Sequence, residues 1–159
     1  MKKEQVEILP GIGLGKLKFG MTRDEVQEIL GKPNHQEVTH YGEDESDQSD
    51  AWEYHPLRLD LSFEEAEDWR LVIISVSSED YTFKGSSLIG LDIDELMEEL
   101  DLLGISDLEI EDMSSEDNPE QKLISSDLLG LNFWLHKDIL EEIQWGPQFI
   151  DDETIKWPE

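Results

Sequence analysis

A helix with clear start and stop signals lies within residues 19–33, and it constrains the fold more than any other stretch of the chain. Thr22 is a good N-cap, because its hydroxyl can accept a hydrogen bond from a free backbone N–H of the first turn, and Glu25 completes a capping box. Three apolar residues follow on one helical face: Val26, Ile29 and Leu30. Gly31 suits the left-handed position after a helix, and Pro33 cannot continue it. The stretch therefore predicts a short helix capped by Thr22.

The helix signal returns 70 residues further along the chain, where Gly90–Leu100 aligns with Gly20–Leu30. Asp92 takes the place of Thr22 as N-cap, and Glu95 completes a second capping box. A recurrence of this kind is typical of a duplicated unit, because each copy repeats the same local folding signals. The sequence therefore predicts an internal repeat.

Alternating apolar residues follow both helix signals and predict antiparallel strands with one buried face. In the first copy they are Leu59, Leu61 and Phe63, and in the second they are Leu129, Leu131, Phe133 and Leu135. We expect units at residues 1–85 and 86–159 in one compact structure, because neither buries much apolar surface alone. The predicted fold class is α+β, with two tandem repeats, each a helical hairpin plus an antiparallel sheet, sharing one core or one continuous sheet. The pattern also allows a single helix in place of each hairpin.

The charge of the chain limits its partners. Twelve Lys and Arg residues stand against 40 Asp and Glu residues, which gives a formal net charge of −28. Such a charge repels nucleic acid and anionic membrane surfaces and attracts basic proteins. The chain has no cysteine, which excludes disulfides, thiolate nucleophiles and cysteine-based metal sites. The N-terminus has no apolar signal-peptide core and no segment is apolar enough to cross a bilayer, so we expect a cytoplasmic protein.

No catalytic or metal-binding pattern stands out. The four histidines do not share a metal-ligand spacing: His35, His40, His55 and His136. Carboxylates are so abundant that any pair of them could be nominated as acid and base, so their presence has no diagnostic value. We therefore expect no metal and no cofactor.

Aromatic residues near the C-terminus are better candidates for a binding surface. Neighbouring residues of a strand face opposite sides of a sheet, so Phe133 and Trp134 should point in opposite directions. We expect Trp52 and Phe133 in the core. Exposed aromatics are typical of contact sites, and we expect six residues to contact a partner: Trp134, Trp145 and Trp157, with His136, Glu141 and Glu142 beside them.

The motif in residues 17–33 resembles one known group of proteins. It reads Leu-x-Phe-Gly-Met-Thr-x-x-Glu-Val-x-x-Ile-Leu-Gly-x-Pro and is followed by Trp52, Tyr54 and a strand with Phe63. It is similar to the group formed by the SmpA/OmlA outer-membrane assembly lipoproteins and the β-lactamase inhibitor proteins. The resemblance implies tandem helix–loop–helix units, each packed on a four-stranded antiparallel sheet. In the inhibitors, the concave, aromatic-rich sheet face binds a partner protein. The motif residues build the scaffold, so the resemblance transfers no binding residue.

These observations favour a non-catalytic protein-binding module. A specific version is an immunity-type or inhibitor protein, in which an acidic, aromatic sheet face occludes a basic partner such as a toxin or nuclease. Two alternatives remain open. One is a small enzyme that uses a buried carboxylate beside a histidine, and the other is a homodimeric structural protein.

Overall fold

The chain folds mostly into antiparallel strands. The computed structural model describes residues 6–40, 48–117, 119–149 and 154–157. In chain order the elements are β1 (Val6–Leu9), β2 (Gly13–Leu14), β3 (Leu17–Lys18), α1 (Arg23–Leu30), β4 (His35–His40), β5 (Gln48–Tyr54), β6 (Leu59–Glu64), β7 (Arg70–Val76), β8 (Tyr81–Phe83), β9 (Ser86–Ser87), α2 (Ile93–Leu102), β10 (Leu108–Asp112), β11 (Gln121–Ser126), β12 (Leu131–His136), β13 (Ile139–Trp145), β14 (Gln148–Phe149) and β15 (Ile155–Lys156). Single 3₁₀ turns follow β5 and β6 at His55–Leu57 and Glu65–Glu67.

Eight strands form one large antiparallel sheet in the order β10-β11-β12-β13-β7-β6-β5-β4. Strands β4 to β7 are consecutive in the chain and in the sheet, and so are β10 to β13. The two sets meet where β7 pairs with β13 through three residue pairs: Val76 with Ile143, Ser75 with Gln144, and Ile74 with Trp145. A single helix precedes each set, α1 before β4 and α2 before β10. Each set of four strands therefore forms from neighbouring segments of the chain.

Both predicted helix caps are confirmed. The Thr22 hydroxyl accepts from the backbone N–H of Glu25 (3.2 Å), and the Glu25 carboxylate accepts from the N–H of Thr22 (3.1 Å). Asp92 and Glu95 repeat this arrangement at 2.8 and 3.3 Å. The boxes satisfy N–H groups that the first turn of a helix leaves without partners, and that is why two such short helices have defined starts.

Replacing Thr22 by alanine should lower the free energy of unfolding by roughly 1 kcal/mol, because one N-cap hydrogen bond is lost. Thr22→Ser should be nearly neutral, since serine keeps the acceptor oxygen. Urea titration of the three proteins checks this. Equal midpoints for the alanine variant and the wild type would show that the cap does not stabilise the fold.

The two helices dock on the large sheet in matching ways. The N–H of Gly20 donates to the Leu71 carbonyl (3.0 Å), and the Leu71 N–H donates to the Met21 carbonyl (2.9 Å). The segment before α2 makes the same pair of bonds with Leu140 on β13, from Gly90 (2.8 Å) and to Leu91 (2.9 Å). These bonds fix where each helix begins relative to its strands.

The core lies between one face of the large sheet and the elements that cover it. The helices contribute Val26, Leu96 and Leu100, all fully buried. The cover is completed by a five-stranded sheet with the order β3-β2-β1-β8-β9, in which β1 and β8 run parallel. Alternate residues of the large sheet face this core, as Leu59, Leu61 and Phe63 of β6 show. The other face of the large sheet is left uncovered by both helices.

The predicted fold class is wrong. The described residues are 50% strand and 17% helix, with two helices in all, rather than helical hairpins with small sheets. A five-stranded and an eight-stranded sheet dominate the structure. The physical reason is that helical periodicity is confined to the two capped segments, whereas the remaining apolar residues alternate with a period of two. The helix–loop–helix repeats implied by the resemblance to the SmpA/OmlA and β-lactamase inhibitor group are wrong for the same reason. The division at residues 85 and 86 stays a prediction.

No helix in the described ranges is both long enough and apolar enough to cross a membrane.

Candidate functional site

The uncovered face of the large sheet is here called the open face, and it consists of the residues whose side chains point away from the helices. Strand pairing places one row of such residues across all eight strands: Glu109, Ser125, Asn132, Gln144, Ser75, Asp60, Glu53 and His35. All eight are polar. In the six inner strands the neighbours of each member point towards the core, so this polarity follows from the alternation of the strands.

The open face is strongly acidic. Strand pairing places seven carboxylates on it, and the contact with His136 places Glu141 there as an eighth; the seven are Glu37, Glu53, Asp60, Glu64, Glu109, Glu111 and Glu142. Arg70, paired with Glu64, is the one lysine or arginine that strand pairing puts there within the described residues. Charges this close together on one surface produce a negative potential that extends about one Debye length, roughly 8 Å at physiological salt.

A β-bulge in β13 puts two consecutive glutamates on the open face. Trp134 pairs with Glu142, and the next pair is Leu135 with Leu140, so Glu141 is the extra residue. Leu140 and Ile143 on either side are both buried. Strict alternation would have turned Glu142 towards the core, whereas the bulge keeps it outside beside Glu141. The pairing of β6 with β7 has an equivalent shift, after Ser62.

Three carboxylates of the open face hold their protons more tightly than usual. Partial burial, reinforced by the charges of Asp60 and Glu141, raises the pKa of Glu142. Burial and the charge of Glu53 raise the pKa of Asp60, although nearby His55 opposes this. Burial, with a contribution from Glu67, raises the pKa of Glu64. Burial is the largest cause for all three carboxylates, and the charges of neighbouring carboxylates reinforce it.

Replacing Glu142 by glutamine should stabilise the protein at neutral pH. A raised pKa means that the folded state binds this proton more tightly than the unfolded chain, so the ionised carboxylate opposes folding. After screening by solvent at this half-exposed site, we expect a gain of about 0.5 kcal/mol in the free energy of unfolding.

The gain should shrink as the pH falls through the raised pKa, and it should vanish below the ordinary value of 4.5, where the carboxyl is protonated in both states. Urea titrations on both sides of that pH measure the effect. Glu37→Gln, at the exposed edge strand β4, is the control and should show no comparable gain. A loss of stability in Glu142→Gln at neutral pH would contradict the expected cost of keeping this carboxylate ionised in the folded state.

A notch of about 180 Å³ lies on the open face and is lined by Gln121, Trp134, Leu135, His136, Glu141 and Glu142. The Trp134 indole N–H donates to the side-chain oxygen of Gln144 (3.3 Å), which orients the ring. Nδ1 of His136 lies 3.7 Å from a carboxylate oxygen of Glu141. Four of the six residues predicted to contact a partner therefore lie together: Trp134, His136, Glu141 and Glu142.

The other two predicted contact residues lie elsewhere. Trp145 is 1% exposed and donates its indole N–H to the Gly13 carbonyl (3.1 Å), so the expectation that it is exposed is wrong. It is buried because it pairs with Ile74 and Leu131, both of which face the core. Trp157 is partly buried, with Arg70 5.5 Å from its ring centre. The structure therefore separates both of these tryptophans from the notch.

Several acidic residues of the open face, including Glu53, Asp60, Glu109 and Glu111, were not among the predicted contact residues. The alternation of Leu59, Asp60 and Leu61 was the signal that could have placed Asp60 outside. Glu109 and Glu111 alternate with Leu108 and Ile110 in the same way, so the same signal could have placed them on the outer face of β10.

Other polar groups of the described chain do not form a metal site. No cluster of three or more metal-ligating side chains is present in the described part of the chain. His35 and His55 each approach Glu53, at 3.7 and 3.8 Å, on the exposed surface. The buried carboxylate Asp50 contacts Arg23 (3.1 Å) and Gln36 (2.9 Å) rather than a histidine.

No protein-family model, curated protein or solved structure matches this chain.

Proposed function

We propose that this protein is a non-catalytic binding module whose open face covers the working surface of a basic protein. The observation that supports the proposal is that the described residues put eight carboxylates and one arginine on that face. A toxin or nuclease that acts on nucleic acid needs a basic surface, and a sheet that carries negative charge in a fixed arrangement can occupy it.

The open face carries an excess of negative charge, which favours the binding of a cationic protein. Burial is the main cause of the raised pKa values of Asp60 and Glu142, and the charges of neighbouring carboxylates add to it; a cationic partner would offset that second contribution. The same charges oppose face-to-face pairing of two copies of this chain, so the homodimer alternative is less favoured. The enzyme alternative requires a buried carboxylate beside a histidine, whereas Asp50 is held by Arg23 and Gln36.

The test is capture of a partner by the immobilised protein, followed by elution with a salt gradient. A matched pair of variants makes the test specific to the open face. The first carries Glu37→Lys and Glu111→Lys, on the two edge strands of the large sheet. The second carries Glu28→Lys and Glu98→Lys, on exposed positions of α1 and α2. Both variants have the same net charge.

We expect the wild type and the helix variant to retain one basic protein that is released by salt, and the edge-strand variant to lose it. Charge reversal at the face should mainly slow association. An acidic partner, binding that is indifferent to salt, or equal loss in both variants would show that the open face is not a charge-selective binding surface. We place the module in the cytoplasm as part of this proposal, and fractionation of producing cells tests that location.

A further inference from the structure

The notch beside Trp134 brings together groups that suit a cationic side chain. It combines an aromatic ring, two carboxylates and an orienting hydrogen bond in one concave site. We propose that this notch binds one arginine side chain of the basic partner, with the guanidinium stacked on Trp134 and paired with Glu142. The proposal rests on the proposed function, because it names the group that the open face recognises.

Two arginine side chains of this protein already lie over tryptophan rings. The Arg23 guanidinium lies 4.5 Å from the ring centre of Trp69, and that of Arg70 lies 5.5 Å from the ring centre of Trp157. Both distances are within the range of a favourable cation–π contact. The remaining tryptophans other than Trp134 are buried in the core.

Trp134 differs from all of them. It is half-buried on the open face, and within the described residues no cation lies over its ring. Its partner across the strands is Glu142, which places a carboxylate beside the ring at a spacing of about 5 Å between the two Cβ atoms. The ring and the carboxylate are therefore positioned to share one cation.

Glu142 also lacks a balancing charge. It forms no side-chain hydrogen bond or ion pair with the described part of the chain, whereas Glu141 has His136 at 3.7 Å. The two charges that act on the pKa of Glu142 are those of Asp60 and Glu141, and both are negative. A cation supplied by a partner would therefore meet an open carboxylate rather than compete with an existing ion pair.

Arginine fits this arrangement better than lysine. Its planar guanidinium can stack on an indole ring and still donate two parallel hydrogen bonds to a carboxylate. A lysine ammonium is a compact and strongly hydrated charge, and it cannot present a flat face to the ring. The notch therefore predicts that arginine binds more tightly than lysine. A general attraction to basic surfaces would not distinguish the two, because their charges are equal.

The test uses capped peptides of the form Gly-Gly-X-Gly-Gly, in which X is arginine, lysine or the neutral arginine analogue citrulline. Binding is followed by the NMR signal of the Trp134 indole N–H, assigned from its disappearance in Trp134→Phe. We expect the arginine peptide to shift this signal saturably and to bind about fivefold more tightly than the lysine peptide. Citrulline should bind at least about tenfold more weakly than arginine, because it lacks the charge.

Variants of the full chain separate the notch from the general charge of the face. Glu142→Gln should weaken arginine binding about fivefold, whereas Glu37→Gln, at the distant edge strand, should change it less than about twofold. Equal affinities for arginine and lysine, or equal effects of the two substitutions, would overturn the notch proposal.

Failure of the notch and failure of the proposed function give different results. If the edge-strand variant loses a captured basic protein while the arginine peptide leaves the Trp134 signal unmoved, the notch proposal is overturned and the binding module stands. If the peptide binds with the expected preference and no basic protein is captured, the notch proposal is supported and the proposed function fails.

Discussion

Trp145→Ala should lower the free energy of unfolding by roughly 4 kcal/mol, because it removes a large, fully buried side chain and leaves a cavity. Trp145 lies where the large sheet meets the five-stranded sheet, and its indole N–H bonds to the Gly13 carbonyl across that boundary (3.1 Å). The substitution therefore removes both packing and a buried hydrogen bond. Since natural domains have a total stability of about 5–15 kcal/mol, this loss would be a large fraction of the total.

Two further variants separate the contributions of packing and hydrogen bonding to the expected loss of stability. Trp145→Phe keeps an aromatic ring but leaves the Gly13 carbonyl without its partner, so a loss of about 1–3 kcal/mol is expected. Trp134→Ala makes the same chemical change at the half-exposed open face, and we expect a loss of about 1 kcal/mol there. Urea titration measures all three. Similar losses for the two alanine variants would contradict the different burial of the two tryptophans.

Gly13→Ala should be destabilising by roughly 3 kcal/mol or more, since the new methyl group would collide with backbone. A Cβ at this position would lie 2.0 Å from the carbonyl oxygen of Leu17, in the tight β2–β3 hairpin. Gly13 also has φ +155°, a backbone conformation that residues with side chains rarely adopt. Backbone cannot rotate away as a side chain can, so the hairpin itself must deform.

Gly85→Ala is the matched control for this substitution. Gly85 has φ +83°, but nothing lies within 4 Å of the position that its Cβ would take. The control therefore contains conformational strain without a collision, and it should be destabilising by about 1 kcal/mol. Thermal unfolding of the two variants measures the difference. Equal melting temperatures would show that the close contact with the Leu17 carbonyl is not the reason why position 13 requires glycine.

The helix caps could be predicted because their chemistry is local. Thr22 and Asp92 each bond to a residue three positions away, so the sequence contains the whole interaction. The opposite orientations of Phe133 and Trp134 were equally local, since they follow from the pleat of a single strand, and they are confirmed.

The position of Trp145 could be predicted only in part. Trp145 follows Ile143 by two residues, so the pleat of β13 places both on one face. Its full burial also depends on the pairing of β13 with β7, whose residues are about 70 positions away in the chain. The five-stranded sheet was missed for another reason: β2, β3 and β9 have two residues each, too few to show any periodicity. The bulge at Glu141 likewise reverses the face expected from alternation, and only the strand pairing reveals it.

The notch was partly accessible to sequence reasoning. Trp134, His136, Glu141 and Glu142 are close in the chain and were expected on one contact surface, and the structure brings them together because β12 and β13 form a hairpin. Gln121 comes from β11, and Asp60 acts on Glu142 from β6, so their contributions depend on the assembled sheet. The open face as a whole is thus a property of tertiary structure.

The short pairing of β7 with β13, here called the joint, has a consequence for the order of folding. Every other pair of neighbouring strands in the large sheet is consecutive in the chain, so those hairpins close short loops, whereas the joint closes a loop of about 70 residues through three pairs. Long loops lose more chain entropy on closure, and local contacts form earlier. We expect the two sets of hairpins to form first and the joint to form after the rate-limiting step. Weakening the joint with Trp145→Phe should then accelerate unfolding while leaving the folding rate nearly unchanged.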